Sequence, residues 1–268
     1  MRPTHRAAAL LALSCVLSAP RICRAQEEEA YVPGYDDRFL QTSTPLVYDP
    51  GILGAIFQHR FVQPVNEAGG NNLGGLDSGA NIGLGVNYVP VADLGFEAYR
   101  SSTNGDYELS VKYTFLRPTR KLPLAVGVRA GVDWLTKVEI EDKVGGFGQL
   151  LVAATLGDVV TVAVAPTYVS NTPQFRNVWN VPVALQVKLP KRFFATAEYV
   201  PRNRDLEGSV GQWSFALEKA VYHHRFGVWI GNSAATTVDQ VAAGDFGGGV
   251  TDSNIRLGFN IVRNFELK

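Results

Sequence analysis

The stretch Asn81 to Phe115 constrains this chain more than any other. Ile82, Leu84, Val86 and Tyr88 alternate with Asn81, Gly83, Gly85 and Asn87. After Val89-Pro90, Leu94, Phe96 and Ala98 alternate with Asp93, Gly95 and Glu97. After Asn104-Gly105, Tyr107, Leu109, Val111, Tyr113 and Phe115 alternate with Glu108, Ser110, Lys112 and Thr114. A period of two means strands with one apolar and one polar face. Runs of about nine to eleven residues suit tilted strands that cross a bilayer. Asn-Gly between two such runs signals a hairpin.

The same unit recurs along the chain. It predicts strands near Gly51–Val62, Ala80–Val89, Asp93–Ser101, Asp106–Leu116, Leu122–Trp134 and Phe147–Leu156. Six more follow near Val159–Val169, Val181–Leu189, Arg192–Pro201, Gln212–Lys219, His223–Gly231 and Asn254–Phe265. The connections 63–79, 135–146, 170–180, 202–211 and 232–253 read as long, while 90–92, 117–121, 157–158, 190–191 and 220–222 read as short. The two classes alternate, with the Asn104-Gly105 hairpin as the exception. Long loops at one end and tight turns at the other are the pattern of an outer-membrane barrel. Aromatics near strand ends, among them Tyr88, Tyr99, Tyr113, Trp134, Tyr168, Tyr199 and Trp213, suit the two interfacial girdles. The expected fold is all-β: an antiparallel up-and-down transmembrane β-barrel of about 12 strands, over residues 51–268.

Mean hydropathy is +0.01, which is compatible with this, because the polar half of each strand cancels the lipid-facing half in an average. Met1 to Ala25 reads as a signal peptide: Arg2 and Arg6 precede an apolar run, Ala7 to Leu17, and Cys23-Arg24-Ala25 supplies a cleavage site. Cleavage would remove both cysteines, Cys15 and Cys23, and with them any disulfide or thiol metal site. It would also remove four arginines, leaving 21 basic against 25 acidic residues, a net charge of −4. That balance argues against a nucleic-acid partner. Residues 26–50 carry Glu27-Glu28-Glu29, Asp36-Asp37 and three prolines. They read as a periplasmic N-terminal lead-in, solvated, with an ordered plug as the alternative.

A family resemblance follows from particular residues. Gln58-His59-Arg60-Phe61, Gly75-Leu76-Asp77, Ala80-Asn81-Ile82, Tyr99-Arg100-Ser101, Tyr107-Glu108 and Lys112-Tyr113 resemble an uncharacterised bacterial family of predicted outer-membrane β-barrels, filed as a domain of unknown function. Residues 40 to 120 carry the likeness, and the remainder follows by barrel pattern. The resemblance implies a barrel and an outer-membrane address, and supplies no activity.

The strand phases place Arg60, Glu97, Glu108, Lys112, Arg129, Asp133, Lys188, Glu198, Glu218, Arg225 and Arg256 on the inward face. The sorting has a cost behind it, since Lys or Arg facing lipid at mid-bilayer costs about 2–4 kcal/mol. Ser110→Arg is accordingly expected to be tolerated where Leu109→Arg is not. Two readings of the charged lumen stand side by side. It lines a porin-like passive channel for small hydrophilic solutes, or its charges pair and fill a closed, structural or partner-binding barrel. Small inward residues (Gly83, Gly85, Gly127, Ala163, Ala165, Ala184) leave room for either. A third reading, an outer-membrane lipid hydrolase, would need a Ser and a His within hydrogen-bond reach, and Ser214 with His223 is the nearest pair the phases suggest. No enzyme activity is expected. His223-His224 point to opposite faces of a strand and cannot share an ion, so no metal or other cofactor is expected. The glycine-rich run Gly69–Gly75 lacks the Gly-Lys-Ser/Thr end of a phosphate loop, and Asp245-Phe246-Gly247 reads as loop. The expected partners are outer-membrane lipids and, for a channel, the solutes themselves.

Overall fold

The computed structural model describes residues 36–139, 141–172, 174–203, 209–244 and 254–267. Each alternating run becomes a strand: β1 Ile52–Phe61, β2 Ala80–Val91, β3 Leu94–Ser101, β4 Asp106–Leu116, β5 Leu124–Leu135 and β6 Val144–Leu156. Strand β7 runs in two pieces, Val160–Val164 and Thr167–Asn171, and β8 likewise, Arg176–Asn180 and Val183–Leu189. The last four are β9 Phe193–Val200, β10 Gln212–Val221, β11 His224–Gly231 and β12 Arg256–Glu266. Strands adjacent in sequence pair antiparallel, and β1 pairs with β12. The result is a closed twelve-stranded up-and-down barrel. Closure pairs the strands around the ring, as a sheet in lipid requires; among the described residues the loop-end piece Arg176–Asn180 pairs on one side, with Thr167–Asn171.

The breaks at Ala165-Pro166 and Val181-Pro182 fall beside each other on β7 and β8. Proline has no N–H for the ladder, so pairing must pause there. The prolines still accept: Ala165 N–H donates to the Pro182 carbonyl at 2.9 Å and Leu150 N–H to the Pro166 carbonyl at 3.0 Å. At Asn104-Gly105 the expected tight hairpin forms, with φ of 60° and 57°.

Two boundaries differ from the sequence reading. The long connection expected at 170–180 shrinks to a tight turn, because β8 starts at Arg176. Tyr168 Oη donates to Asn177 Oδ1 at 2.6 Å, and the Tyr168 and Trp179 rings lie 4.8 Å apart. Strand β6 also starts earlier, at Val144, with Gly145 and Gly146 paired to Asp133 and Val132.

Outward positions carry the apolar residues, including Leu84, Val86, Leu109, Leu150, Leu185, Leu217 and Val228. Aromatics collect at both ends of this band: Tyr107 with Trp134 near the loops, and Tyr113 with Phe115 near the turns. Tyr99 departs from the girdle expected of it. It is 3% exposed and points inward. Its ring fills a slot opened by two glycines, since a Cβ on Gly83 or Gly85 would lie 1.7 or 2.5 Å from it. Its hydroxyl donates to Gln58 Oε1 at 2.5 Å.

Two segments enter the barrel. Residues 37–40 and 42–47 are buried, so the solvated lead-in expected of this stretch is an ordered plug over these positions. Phe39 and Leu46 pack on Ala125, Ala153, Ala163 and Ala184, and Leu40 packs on Ala216 and Trp229. The small inward residues thus make room for plug side chains. From the loop end, residues 232–244 of the β11–β12 connection fold inward as a largely buried segment that includes the short helix α2, Val238–Ala243; α1 is the single turn Val65–Ala68. Val238 and Ala242 pack on Phe147, Val169 and Val178. The leader reading of residues 1–25, Cys15 and Cys23 included, and the Asp245-Phe246-Gly247 loop lie outside the described residues.

Candidate functional site

The candidate site is the barrel interior. Arg60, Glu97, Glu108, Lys112, Arg129, Asp133, Glu198, Glu218, Arg225 and Arg256 are all buried there. Lys188 shares their phase on β8 but sits at the turn end and is exposed.

The wall charges meet the N-terminal plug along the lumen, from Lys112 and Arg225 nearer the turns to Glu198 nearer the loops. Arg38 donates to both oxygens of Glu97 at 2.6 Å. Burial opposes the Arg38 charge, but the Glu97 and Asp37 carboxylates outweigh it and hold the guanidinium above its ordinary pKa. Lys112 Nζ donates to Asp37 Oδ1 at 2.5 Å and to the Asp37 and Leu46 carbonyls at 2.7 and 3.3 Å. Glu198 accepts three backbone N–H groups, from Leu40, Gln41 and Thr42, each at 3.0 Å. Arg225 bridges Glu218 at 3.2 Å and Asp36 at 2.9 Å. A carboxylate that caps three amides fixes a backbone segment, because each amide would otherwise be buried unpaired.

Toward the loop end, Arg129 joins the two halves. It pairs with Glu97 at 2.8 Å and with Glu108, while Glu108 Oε2 accepts the Val238 N–H at 2.8 Å. Asn81 Nδ2 donates to the Ala234 carbonyl at 2.8 Å, and Gln212 Nε2 donates to the Val241 carbonyl at 2.7 Å. Arg256 donates to the Val62 carbonyl at 2.8 Å and to the Asn232 carbonyl. Arg60 has no ion pair among the described residues. Its guanidinium stacks 4.3 Å over Trp229 and donates to the His59 and Phe259 carbonyls at 3.2 Å. Asp133 is 1% exposed, and neither of its oxygens has a hydrogen-bond partner.

Small cavities lie between wall and plug among the described residues. Two are of about 10 Å³, one lined by Arg38, Tyr48, Glu218 and Arg225, the other by Asp37, Ser110, Lys112 and Arg129. Each is about the size needed for one water.

Two sequence expectations change here. Ser110 Oγ accepts from Arg129 Nε at 3.1 Å, so an arginine at 110 would crowd a like charge rather than face open lumen. Ser214 and His223 do not meet. Ser214 pairs with Gly231 at the loop end of β10, whereas His223 lies on the turn beyond Val221. Seven residues of strand, roughly 23 Å, separate those ends. His59 faces outward, stacked on Phe259 with ring centroids 5.0 Å apart.

Sequence reasoning missed Asp37, Arg38, Asp106, Thr237 and Asp239. The available signal was Asp36-Asp37-Arg38 next to the apolar Phe39-Leu40 and Leu46-Val47, a pairing that a solvated tail does not need.

The model of a family described as a membrane bound beta barrel domain (DUF5777) matches residues 36–265. Among solved structures, the chain is similar to outer membrane phospholipase A from Escherichia coli, with 13% identity, 82% of this chain and 94% of that chain covered, and a TM-score of 0.46. It is likewise similar to the Salmonella typhi outer membrane phospholipase dimer, with 13% identity, coverage of 87% and 98%, and a TM-score of 0.49. Similarity to OmpT, an outer membrane protein of Vibrio cholerae, is at 11% identity, with coverage of 80% and 98% and a TM-score of 0.39. These likenesses concern fold alone. No curated protein matches.

Proposed function

This chain belongs to the DUF5777 family of membrane-bound β-barrel domains, and we propose that it is a closed barrel of the bacterial outer membrane whose working surface is its loop end. In this reading the lumen is scaffold. Its charges fix two inserted segments and hold the loops still, so that they meet an external partner without the entropy cost of ordering first. The turns and both termini face the periplasm, reached through an N-terminal signal peptide, and the barrel carries out no chemistry of its own. The observation that carries the reading is the Glu198 carboxylate, which accepts three consecutive plug amides. A passage for solutes would have little use for a backbone clamp across its bore.

A second reading keeps the porin-like passage of small hydrophilic solutes. It rests on the plug's attachment, which is noncovalent throughout the described residues, with a wall close to charge balance behind it. Planar-bilayer conductance of the refolded mature protein separates the two, with heat-shifted gel mobility as the folding control. A folded, inserted and silent barrel is the expected result. Stable ion-conducting steps from the full-length protein would give the function to the passage instead.

A further inference from the structure

Three buried carboxylates stand together toward the loop end with no ion pair among the described residues. Asp106 on β4, Asp133 on β5 and Asp239 on α2 are all buried, at 0%, 1% and 1% exposure. One carboxylate oxygen from each lies within 4.8 Å of the other two. The nearby guanidinium, Arg129, is committed to Glu97 and Glu108. Thr237 Oγ1 lies 2.5 Å from Asp106 Oδ2 and 2.7 Å from Asp239 Oδ1, but a hydroxyl has a single proton to donate. Gln240 satisfies the same two oxygens again, through its side chain to Asp106 at 3.0 Å and its backbone N–H to Asp239 at 2.6 Å.

The remaining oxygens stand apart from this network. Asp106 Oδ1, Asp239 Oδ2 and both oxygens of Asp133 are buried with no hydrogen-bond partner. A buried carboxylate without donors or a countercharge is costly enough that natural proteins pair it or coordinate a metal with it. Asp133 bears most directly on the point: a fully buried side chain with two orphaned oxygens, aimed at two other carboxylates.

We propose that Asp106, Asp133 and Asp239 bind one hard divalent cation, best matched by Ca²⁺. The donor set is all oxygen, which suits hard cations and lacks the imidazole and thiolate ligands that zinc and copper favour. Oxygens on opposite sides of a Ca²⁺ ion, at about 2.4 Å each, lie about 4.8 Å apart. Mg²⁺ needs a tighter, near-octahedral shell at about 2.1 Å, which oxygens this far apart fit less well. The ion joins two wall strands to the inserted loop, so it fastens α2 inside the barrel. The site is independent of whether the lumen conducts.

The test uses the full mature chain, refolded in detergent without lipopolysaccharide and stripped with EGTA. Calorimetric titration with CaCl₂ should find one equivalent bound, and the unfolding midpoint should climb with Ca²⁺ concentration, as for any ligand of the native state. Asp133→Asn should lose that uptake and the Ca²⁺ dependence while keeping its heat-shifted mobility. If it does not fold, Asp239→Asn, which lies in the loop rather than a strand, should show the same loss. No uptake by the wild-type chain at millimolar Ca²⁺, or uptake unchanged in both variants, would overturn the site. So would a Ca²⁺-independent midpoint that Asp133→Asn raises, because carboxyls that share protons would then balance the charge.

Discussion

At the residue scale, the interior holds a chain of charges in which several wall groups have partners that sequence periodicity does not mark, as Lys112 has Asp37 and Glu97 has Arg38. Arg129 is its centre, between Glu97 and Glu108. Replacing it with methionine keeps most of the volume and leaves Glu108 buried without its cation. Breaking a buried pair from one side costs about 3–5 kcal/mol. Arg129→Met should therefore unfold at clearly lower urea than the parent, and adding Glu108→Gln should recover part of the loss; equal midpoints for the single and double variants would show that the pair is uncoupled. Lys112→Glu would set a carboxylate beside Asp37, whose oxygen now lies 2.5 Å from the ammonium. It should lose folded, heat-shifted protein rather than change ion selectivity. Period-two reading could place Arg129, Glu97 and Lys112 on one face, because phase is a local property of each strand. It could not supply Asp37 or Arg38 as partners of Lys112 and Glu97. Those residues lie in segments without a repeat, and only the closed barrel brings them to the wall.

At the element scale, the strands were legible because lipid on one side and polar packing on the other force strict alternation. The misjudged elements are those where something other than alternation decides. Strand β8 begins at Arg176, ahead of the readable run Val181–Leu189, because Pro182 interrupts the ladder between its two pieces. Residues 36–47 have no period and several prolines nearby, yet their apolar Phe39, Leu40 and Leu46 occupy pockets floored by inward alanines. Outward positions remain the simplest test of the barrel's orientation. Leu109 on β4 is 57% exposed toward lipid, and Leu109→Arg should cost about 2–4 kcal/mol. Lys188→Glu, at the exposed turn end of β8, should leave assembly unchanged. Refolding yield into vesicles, scored by heat-shifted mobility, compares the two, and equal yields would contradict the assignment of faces.

At the scale of the whole molecule, the barrel is large enough to enclose a passage and is instead occupied from both ends. Strand count alone does not decide between filled and open lumens, since twelve lies between small filled barrels and wide porins. The decision rests on whether the inserted segments are fastened, and the fastening differs at the two ends. The N-terminal plug is held by Glu97, Lys112 and Glu198 through Arg38, Asp37 and three amides. The loop plug is held by the Glu108 bond to Val238, by Arg256 at the Asn232 carbonyl, by Asp106 at Thr237 and by uncharged side chains such as Asn81 and Gln212. Removing the N-terminal segment through Val47 leaves β1 and its pairings in place but strips Glu97 of Arg38, Lys112 of Asp37 and Glu198 of its amide donors. Water must then enter to solvate those groups, because buried unpaired charge is the costlier alternative. The truncated chain should therefore insert and show conductance steps where the full mature chain is silent. Steps that are absent from a truncated but heat-modifiable barrel would mean that the loop segment seals the bore unaided, and the N-terminal plug would then be a brace for the wall rather than its stopper.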